Sequence, residues 1–549
     1  MLGFNKDIYQ GVHNLTTDER SEIFYSAAHT GIIYNYQDKT QNILQGHCNQ
    51  ITCTACSEDK SIIVTADSGP DSMLVVWDSL TGTPQRTYFS PHENGVVAMD
   101  ISPDANYIVT LSDFIPQTIS IWDISNEDLA EPIVSCTFCH TQDYKQICVK
   151  FNTQNVHQIV SNGKEHVVFF DWEDGVSDIS YYMPQIQKSS FPVKENANAH
   201  KTQSVFLPTS TQAVTGTTYG DILVWDMSLI VDGVAQPNER RLIKVVTLNT
   251  VGETTEKAIY TLNIHNDYLV TGNADGTVRF YDQQFKIRAW FEELDLNSIM
   301  SVSFSFTEPE EAQDLLDDSL EEQDQKLLKT EEPPFRCSKF IVADKMAEVQ
   351  ICRAEQFESI HENKPKDSIV QSISKPIRCI AVHPIDPYLA IAGKDGFFSI
   401  WNYVTKEKIP IDYNHNYQHK DPTKMEYTPD GKCLIVGYEN GIIRFLDLDL
   451  IDLEQVNEKV ALRDIQEQPG KTSEKNERPV TLLTVSKDSK WFATADPDCG
   501  VCLFKKDHKY GDPSEPIEWI FSGKRRTHEI EITSIAFGEY LDENEQMKL

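Results

Sequence analysis

A short strand that ends in Trp-Asp, or in a close variant, recurs along this chain at intervals of roughly fifty residues. Clear copies end at Trp77-Asp78, Trp122-Asp123 and Trp225-Asp226, and looser copies end at Phe170-Asp171, Tyr281-Asp282, Trp401-Asn402 and Leu446-Asp447. The seven third-strand aromatic or apolar positions lie 45, 48, 55, 56, 120 and 45 residues apart, and the long gap contains one degenerate copy at 347–352. Repeats of this period, built from short β-branched strands, are typical of β-propeller blades, so an all-β fold is predicted.

Residues 46–89 show one complete repeat unit. Strands are predicted at 51–56, 62–65, 74–77 and 85–89, separated by turn residues such as Asp59 and Gly69. Four side chains of this unit, His47, Thr65, Asp71 and Trp77, are expected to hydrogen-bond within the blade rather than to form a catalytic set. Two Asp-Gly turns, at Asp275 and Asp395, recur as repeat positions because Asp and Gly suit tight hairpins.

The net charge is −35, from 84 acidic and 49 basic residues among 549. This balance disfavours a nucleic-acid binder, an anionic membrane surface and direct contact with the acidic face of a microtubule. Two small basic groups, 505–509 and 524–526, are interpreted as solvated loop charge. The sequence has no run of eighteen apolar residues and no secretory signal pattern at its first residues, so a cytosolic protein is expected.

The sequence contains three Cys-x-x-Cys pairs that could suggest a metal site: Cys53/Cys56, Cys136/Cys139 and Cys499/Cys502. His140 follows the second pair and completes the Cys-x-x-Cys-His motif of haem attachment. All three lie in or beside predicted strands, where residues three apart point to opposite faces. We therefore predict packing cysteines, and no metal, haem or other cofactor.

The Gly-His openings and Trp-Asp endings resemble the WD-repeat family over almost the whole chain. The segments 3–7, 14–15, 22–25, 31–35 and 44–47 resemble the lead-in of echinoderm microtubule-associated-protein-like proteins, where it is woven into a tandem pair of propellers. This resemblance implies that residues 1–45 are a lead-in segment that contributes strands to the propellers.

Other segments, 27–34, 57–60, 65–71, 75–82 and 535–542, resemble a cilia- and flagella-associated WD-repeat family of the calmodulin- and spoke-associated complex. The resemblance implies a place in the axoneme at the radial-spoke base, bridging it to the doublet microtubule and regulating motility. Expected partners are radial-spoke and complex subunits, with calmodulin reached indirectly and microtubules reached through partners. Members of that family continue into a fuller second propeller and a calcium-binding-like region, whose Asp-x-Asp-x-Asp-Gly loop is missing from this sequence.

Ten strand units of the Trp-Asp type, counting 32–36 and 501–504, exceed what closes as one ring. We predict a first propeller at 46–355 with an acidic insert at 307–334, then an incomplete second propeller at 356–549. The insert is either a solvated loop, which is preferred, or an acidic helix that docks a basic partner. A polar linker near 362–367 and an exposed loop at 467–476 are also predicted.

The sequence favours a non-enzymatic scaffold, because it contains no phosphate-binding Gly-rich loop, no His-Glu-x-x-His motif and no Gly-x-Ser-x-Gly turn. A substrate receptor of a ubiquitin ligase is the alternative. Many such receptors carry Arg two residues after Trp-Asp, whereas Leu80, Ser125 and Ser228 stand there. A direct microtubule-associated protein is a third interpretation, favoured by the lead-in and disfavoured by the charge.

Overall fold

The computed structural model describes residues 3–126, 128–176, 178–186, 190–208, 211–227, 239–248, 258–292, 294–307, 310–311, 335–353, 368–371, 376–396, 398–409, 421–447, 462–465, 479–508, 517–526 and 528–538. In these ranges the chain forms ten four-stranded antiparallel sheets, one two-stranded ribbon and no α-helix. The predicted all-β class and the ten repeat units are confirmed. The chain divides into two compact units, Met1–Ser374 and Lys375–Leu549.

Seven of the four-stranded sheets belong to the first unit. Sheet 1 contains β1 (Val12–Asn14), β2 (Glu22–Ala27), β3 (Thr30–Asn35) and β4 (Thr40–Leu44). Sheet 2 contains β5 (Ile51–Cys56), β6 (Ile62–Asp67), β7 (Met73–Asp78) and β8 (Pro84–Phe89). Sheet 3 contains β9 (Val96–Ile101), β10 (Tyr107–Ser112), β11 (Gln117–Asp123) and β12 (Val134–Cys139). Sheet 4 contains β13 (Gln146–Asn152), β14 (Asn155–Gly163), β15 (Val167–Asp171) and β16 (Ser180–Tyr182).

The remaining sheets of the first unit follow the same order. Sheet 5 contains β17 (Lys201–Phe206), β18 (Ala213–Thr217), β19 (Asp221–Met227) and β20 (Arg240–Thr247). Sheet 6 contains β21 (Ile259–His265), β22 (Tyr268–Asn273), β23 (Val278–Tyr281) and β24 (Ile287–Phe291). Sheet 7 contains β25 (Ile299–Phe304), β28 (Phe340–Asp344), β29 (Glu348–Cys352) and β30 (Ser368–Gln371), and the ribbon β26 (Glu310–Glu311) and β27 (Arg336–Cys337) lies between its first two strands in sequence. Short 3₁₀ turns occur at Gln142–Tyr144 and Lys194–Asn198.

Buried apolar clusters join each of these seven sheets to the next one. Sheets 2 and 3, 3 and 4, 4 and 5, 5 and 6, and 6 and 7 each share such a cluster. Successive residues of a strand point to opposite faces of its sheet. A sheet whose strands are apolar on both faces can therefore be buried between two neighbouring sheets. The innermost strands of neighbouring sheets lie side by side, from β5 to β25.

Sheet 1 closes the ring. Tyr25 and Ile32 belong to one buried cluster with Val349 of sheet 7, and Phe24 belongs to another with Trp77 of sheet 2. Full burial of an aromatic side chain such as Phe24 contributes about 2 kcal/mol to folding. The first unit is therefore a complete seven-sheet propeller.

Hydrogen bonds also hold β1 to β25, its neighbour in the ring. Ser301 Oγ donates to the Val12 carbonyl at 2.7 Å, and the Asn14 amide donates to Ser303 Oγ at 2.9 Å. The described part of residues 1–45 thus forms one whole sheet of the first ring, whereas the sequence predicted only a lead-in that contributes strands to the propellers.

The first unit also extends beyond the predicted boundary at 355. The fourth strand of sheet 7, β30, pairs with β29, and Val370 lies in the buried cluster shared with sheet 1. A boundary at 355 would remove that strand from its sheet. The linker predicted at 362–367, most of the acidic insert at 307–334 and the loop predicted at 467–476 lie outside the described residues.

The second unit contains three four-stranded sheets in the ranges that the structure describes. Sheet 8 contains β31 (Ile377–Val382), β32 (Tyr388–Gly393), β33 (Phe398–Asn402) and β34 (Glu407–Ile409), with a 3₁₀ turn at Lys394–Gly396. Sheet 9 contains β35 (Pro422–Tyr427), β36 (Cys433–Tyr438), β37 (Ile443–Asp447) and β38 (Leu462–Ile465). Sheet 10 contains β39 (Leu482–Val485), β40 (Trp491–Ala495), β41 (Gly500–His508) and β42 (Ile517–Arg526). Buried clusters join sheets 8 and 9 and sheets 9 and 10, so this unit is the predicted partial second propeller.

The two basic groups of the second unit are not in loops, and that prediction is wrong. Lys505 and Lys506 lie in β41, and Lys524, Arg525 and Arg526 lie at the end of β42. Both segments contain alternating apolar residues, and one face of sheet 10 is buried against sheet 9. These features favour strands more strongly than the positive charge favours loops. Lys509 lies outside the described residues.

Candidate functional site: the central opening of the first ring

The predicted repeat positions of sheet 2 form a buried polar network. Trp77 Nε1 donates to Thr65 Oγ1 at 2.8 Å, and Thr65 Oγ1 lies 2.7 Å from His47 Nε2. His47 Nδ1 lies 3.2 Å from a carboxylate oxygen of Asp67. A carboxylate can only accept, so the contact with Asp67 requires a proton on His47 Nδ1.

The carboxylate of this network is Asp67 and not Asp71, as the sequence predicted. Asp71 lies in the following turn, exposed and with a positive φ of 54°. Asp67 ends the second strand and also accepts hydrogen bonds from the amides of Met73 at 2.6 Å and Asn49 at 3.1 Å. Burial alone would raise the pKa of Asp67, but these bonds and His47 hold it below its usual value.

Sheet 3 contains a second network that the sequence analysis missed. His92 Nε2 lies 2.8 Å from Thr110 Oγ1, which accepts a 2.9 Å hydrogen bond from Trp122 Nε1. The signal was present, because the His–Thr separation is 18 residues and the Thr–Trp separation 12 residues in both sheets. Ser112 takes the place of Asp67, and its hydroxyl accepts from the Thr118 amide at 2.9 Å.

Two other predicted Trp residues also donate their indole N–H to a hydroxyl group of the same sheet. Trp225 Nε1 donates to Thr215 Oγ1 at 3.0 Å, and Trp401 Nε1 donates to Ser399 Oγ at 3.0 Å. Each indole N–H is buried, so a partner within the sheet avoids the cost of an unsatisfied donor.

Two strand-ending Asp residues, Asp78 and Asp123, organise the turns that follow them. Asp78 Oδ1 accepts from the Thr81 amide at 2.8 Å, and Asp123 Oδ1 accepts from the Ser125 amide at 2.9 Å. Asp226 accepts from the Met227 amide at 2.7 Å. The side chains of Asp78 and Asp123 mimic a backbone turn.

The two predicted Asp-Gly positions differ from each other. Asp275 forms a 2.7 Å ion pair with Arg279 Nη2, in which both side chains are buried, and accepts from the Thr277 amide at 3.1 Å. Asp395 lies in the 3₁₀ turn Lys394–Gly396. Asp275 therefore joins the turn to the strand that follows it.

All twelve cysteines are free thiols. Burial raises the pKa of the Cys53 thiol to about 12, which keeps this thiol protonated and unreactive at neutral pH. In the part of the chain that the structure describes, no group of three or more His, Cys, Asp or Glu side chains could hold a metal ion. None of the helices in those ranges has the length and apolar character needed to cross a bilayer.

The first ring has a central opening with a volume of about 970 Å³, which can receive a partner. Its middle is closed by residues from three sequence regions. Gln10 Nε2 donates to Asn263 Oδ1 at 2.8 Å and to Gln203 Oε1 at 3.3 Å, and Asn263 Nδ2 donates to Gln10 Oε1 at 3.1 Å. The N-terminal segment is thus held across the channel by the innermost strands of sheets 5 and 6.

One ion pair lines the wall of the opening. Lys150 Nζ lies 2.7 Å from Asp100 Oδ1, and Asp100 Oδ2 accepts from the Phe151 amide at 2.9 Å. Burial alone would lower the pKa of Lys150, but Asp100 outweighs it and holds that pKa above its usual value. Lys150 stays charged and paired, so it is unsuited to act as a base or a nucleophile.

Two histidines of the wall are neutral at pH 7. Burial lowers the pKa of His13 to about 3 and that of His265 to about 4, and the nearby positive charge of Lys60 acts in the same direction. His13 Nε2 lies 2.9 Å from Thr54 Oγ1, and His265 Nε2 accepts from the Ser338 amide at 3.3 Å. A group with so low a pKa exchanges protons poorly near neutral pH, which disfavours acid–base catalysis here.

The rim of the opening carries exposed carboxylates. It is formed by turns that join the innermost strand of a sheet to the second strand, and their exposed acidic residues are Asp18, Glu19, Glu58, Asp59, Asp104 and Asp267. Two lysines, Lys60 and Lys150, also line this opening. The acidic rim suits a basic protein surface better than an anionic one.

Comparison with known proteins identifies the family. A family profile described as the CFAP251 N-terminal domain matches residues 1–357. The chain belongs to this family. A second profile, described as WD domain, G-beta repeat, matches residues 366–402.

Full-length relatives agree with this assignment. The chain is similar to cilia- and flagella-associated protein 251 of Tetrahymena thermophila, with 39% identity over 99% of the chain and 54% of the relative. The protein of the same name from Chlamydomonas reinhardtii is 29% identical over 98% of the chain and 63% of its own length. Echinoderm microtubule-associated protein-like 4 of Mus musculus is 22% identical over 80% of the chain and 44% of its own length. The chain thus spans between 38% and 63% of the length of the relatives that carry this name.

These findings confirm the predicted family resemblance and agree with a location in the cilium or flagellum, which the names of the relatives state. The matched range 1–357 begins with the segment that forms sheet 1. The closed first ring of this chain and its acidic rim are the candidate site of partner binding.

Proposed function

We propose that this chain is a non-enzymatic scaffold of motile cilia or flagella. It bridges the base of the radial spoke to the doublet microtubule and regulates motility as part of a calmodulin-associated complex. The observation that carries the proposal is the match of the CFAP251 N-terminal domain over every strand of the closed ring except its last one, β30.

Three features of the ring support a scaffold. The buried His, Thr and Trp side chains at the repeat positions of sheets 2 and 3 hydrogen-bond to one another within their sheet, as Trp77 does with Thr65 and Trp122 with Thr110. Among the titratable groups of the opening, Lys150 is paired with Asp100, and His13 and His265 have pKa values far below neutral. What the ring offers to other molecules is a set of rims and turns, which is the usual means by which propellers bind proteins.

The charge of the rim supports attachment to microtubules through other proteins. An acidic surface such as that of a microtubule would be repelled by Asp18, Glu19, Glu58 and Asp59. A basic subunit placed between the two would be attracted by both. Radial-spoke and complex subunits are therefore the proposed direct partners, with calmodulin bound indirectly.

The proposal is tested by tagging the full chain in a cell with motile cilia. The tag should lie along the axoneme, and loss of the protein should remove or loosen radial spokes and reduce beating. A diffuse cytosolic or nuclear tag would instead favour the ubiquitin-ligase receptor and would contradict the scaffold.

Rim variants sharpen this test. Glu19→Lys with Glu58→Lys should reduce incorporation into the axoneme, because the rim loses its attraction for a basic partner. The matched control, Glu131→Lys with Glu173→Lys, makes the same charge change at exposed positions away from the opening and should be incorporated normally. Equal incorporation of both variants would show that the rim is not the binding surface.

A direct microtubule-associated protein is the second candidate, favoured by the similarity to echinoderm microtubule-associated protein-like 4. The purified chain is sedimented with microtubules across a series of salt concentrations. Direct binding predicts co-sedimentation at low salt that weakens as salt rises, whereas attachment through partners predicts that the chain stays in the supernatant.

A further inference from the structure

The second unit contains a long hairpin whose charge is opposite to that of the chain. β42 is ten residues long, the longest strand in the part of the chain that the structure describes, and it pairs with the nine-residue β41. It is the last strand of sheet 10, so within the described residues its outer edge pairs with no other strand. Such an edge presents a row of backbone N–H and C=O groups that can accept another extended chain.

The cations of this hairpin differ in what they already contact. Lys524 forms an ion pair with Asp496, and Lys505 forms one with Asp507 at 2.7 Å. Lys506 Nζ lies over the ring of Trp519, 5.6 Å from its centroid. These three contacts fix part of the positive charge along the hairpin.

Arg525 and Arg526 are different, because both are exposed and neither has an ion-pair partner among the described residues. They end the edge strand, where Arg525 is paired across to Val501 and Arg526 to Gly500. Successive residues of a strand point to opposite faces, so the two guanidinium groups flank the open edge on both sides. Each guanidinium can bind a carboxylate with two parallel hydrogen bonds.

We propose that the outer edge of β42 binds an extended acidic protein segment, which adds to sheet 10 as a fifth strand. The backbone of the segment pairs with the edge, and its carboxylates meet Arg525 and Arg526. Because the two arginines lie on opposite faces, the segment that fits has consecutive acidic residues rather than acidic residues at every second position. The chain as a whole carries a net charge of −35, whereas this edge is locally positive and can attract an acidic partner.

The edge strand of sheet 5 is less suited to binding an acidic segment. β20 also carries exposed cations, but Arg241 forms a 3.0 Å ion pair with Glu239, and Lys244 lies over the ring of Phe285. Its positive charge is largely engaged within the protein. This strand therefore supplies a matched control for the same change of charge on an edge strand.

The test uses the full chain and a fluorescent peptide of sequence Thr-Val-Glu-Glu-Glu-Glu-Val-Thr. Arg525→Ser with Arg526→Ser should weaken its binding by about tenfold, as expected for the loss of two exposed carboxylate contacts. Arg241→Ser with Lys244→Ser should leave the affinity within about twofold. Equal affinities for the wild type and the Arg525/Arg526 variant, or equal losses in both variants, would overturn the proposal.

Two further ligands separate strand addition from simple charge attraction. The same peptide methylated on alternate backbone nitrogens keeps its charge but loses half of its N–H donors, so it should bind at least about tenfold more weakly. Unchanged binding of the methylated peptide would exclude strand addition. A single-stranded oligonucleotide of equal charge should bind more weakly than the peptide, and tighter binding of the oligonucleotide would overturn the assignment of a protein ligand. Both arginines are exposed, so the thermal midpoint of the variant should match the wild type and show that its fold is intact.

Discussion

Trp77 Nε1 donates a 2.8 Å hydrogen bond to Thr65 Oγ1, and the same relationship recurs between Trp122 and Thr110 at 2.9 Å. In both sheets the indole lies on the third strand and the hydroxyl on the second. The threonine hydroxyl also meets a buried histidine, so one oxygen satisfies groups from three parts of the blade. This explains why sheets 2 and 3 have the same residue types at these positions.

Removing that hydroxyl should destabilise the first ring. Thr65→Val keeps the shape of the side chain but leaves Trp77 Nε1 and His47 without their shared partner, which should cost about 2–3 kcal/mol in the free energy of unfolding. This loss of free energy of unfolding is measured by urea unfolding, followed by tryptophan fluorescence. Thr83→Val is the control, because Thr83 is exposed and its hydroxyl meets only Thr81. A change of equal size in both variants would show that the network contributes nothing special.

The free energy of unfolding should fall in mild acid because of His92. Burial lowers the pKa of His92 to about 4, below the value of about 6.5 for an unfolded histidine. The unfolded state therefore binds the proton more readily, so this stability is complete above pH 6.5 and is lost as the pH falls towards 4. The loss amounts to about 3 kcal/mol and can be followed by chemical unfolding at a series of pH values.

A substitution in sheet 3 can change that acid response. Ser112→Asp places a carboxylate where sheet 2 has Asp67, whose oxygen lies 3.2 Å from His47. The pKa of His92, measured by NMR titration, should rise, and the loss of stability between pH 6.5 and 4 should become smaller. An unchanged His92 titration would mean that the two networks are not equivalent.

The Asp275–Arg279 ion pair should be costly to break from one side. Arg279→Met leaves the buried Asp275 carboxylate without its counter-charge and should lower the free energy of unfolding by about 3–5 kcal/mol. Adding Asp275→Asn to the same chain should recover part of that loss, because the uncompensated charge is removed. If the double variant is less stable than the single one, the turn depends on the carboxylate through Thr277 and not through Arg279.

Deleting residues 1–45 should prevent the first ring from folding. The deletion exposes the apolar faces that sheets 2 and 7 turn towards sheet 1, including Trp77 and Val349. Size-exclusion chromatography and circular dichroism should show aggregation or loss of the cooperative thermal transition. The proper comparison is the full chain with Ser301→Ala, which removes one 2.7 Å hydrogen bond of the closure and should destabilise the ring by only about 1 kcal/mol. A soluble, cooperatively folded deletion would contradict the seven-sheet closure.

The sequence determined the strands, because their signals are local. Alternation of β-branched residues and the turn residues between them predicted 51–56 and its successors, and even the degenerate copy at 347–352 forms a third strand. The repeated Trp and His positions also predicted a buried network within a blade. These inferences need only residues that are neighbours along one hairpin.

Tertiary structure decided what depends on residues that are distant in sequence. Sheet 1 closes the ring because Val12 hydrogen-bonds to Ser301. The carboxylate beside His47 is that of Asp67, because the end of β6 lies against His47. The first unit extends to β30 because that strand pairs with β29. The basic residues of β42 looked like loop charge because charge alone does not reveal a partner strand. Local pattern fixes the shape of each hairpin, but which faces and edges become buried is set by cooperative packing between sheets, which no short stretch of sequence encodes by itself.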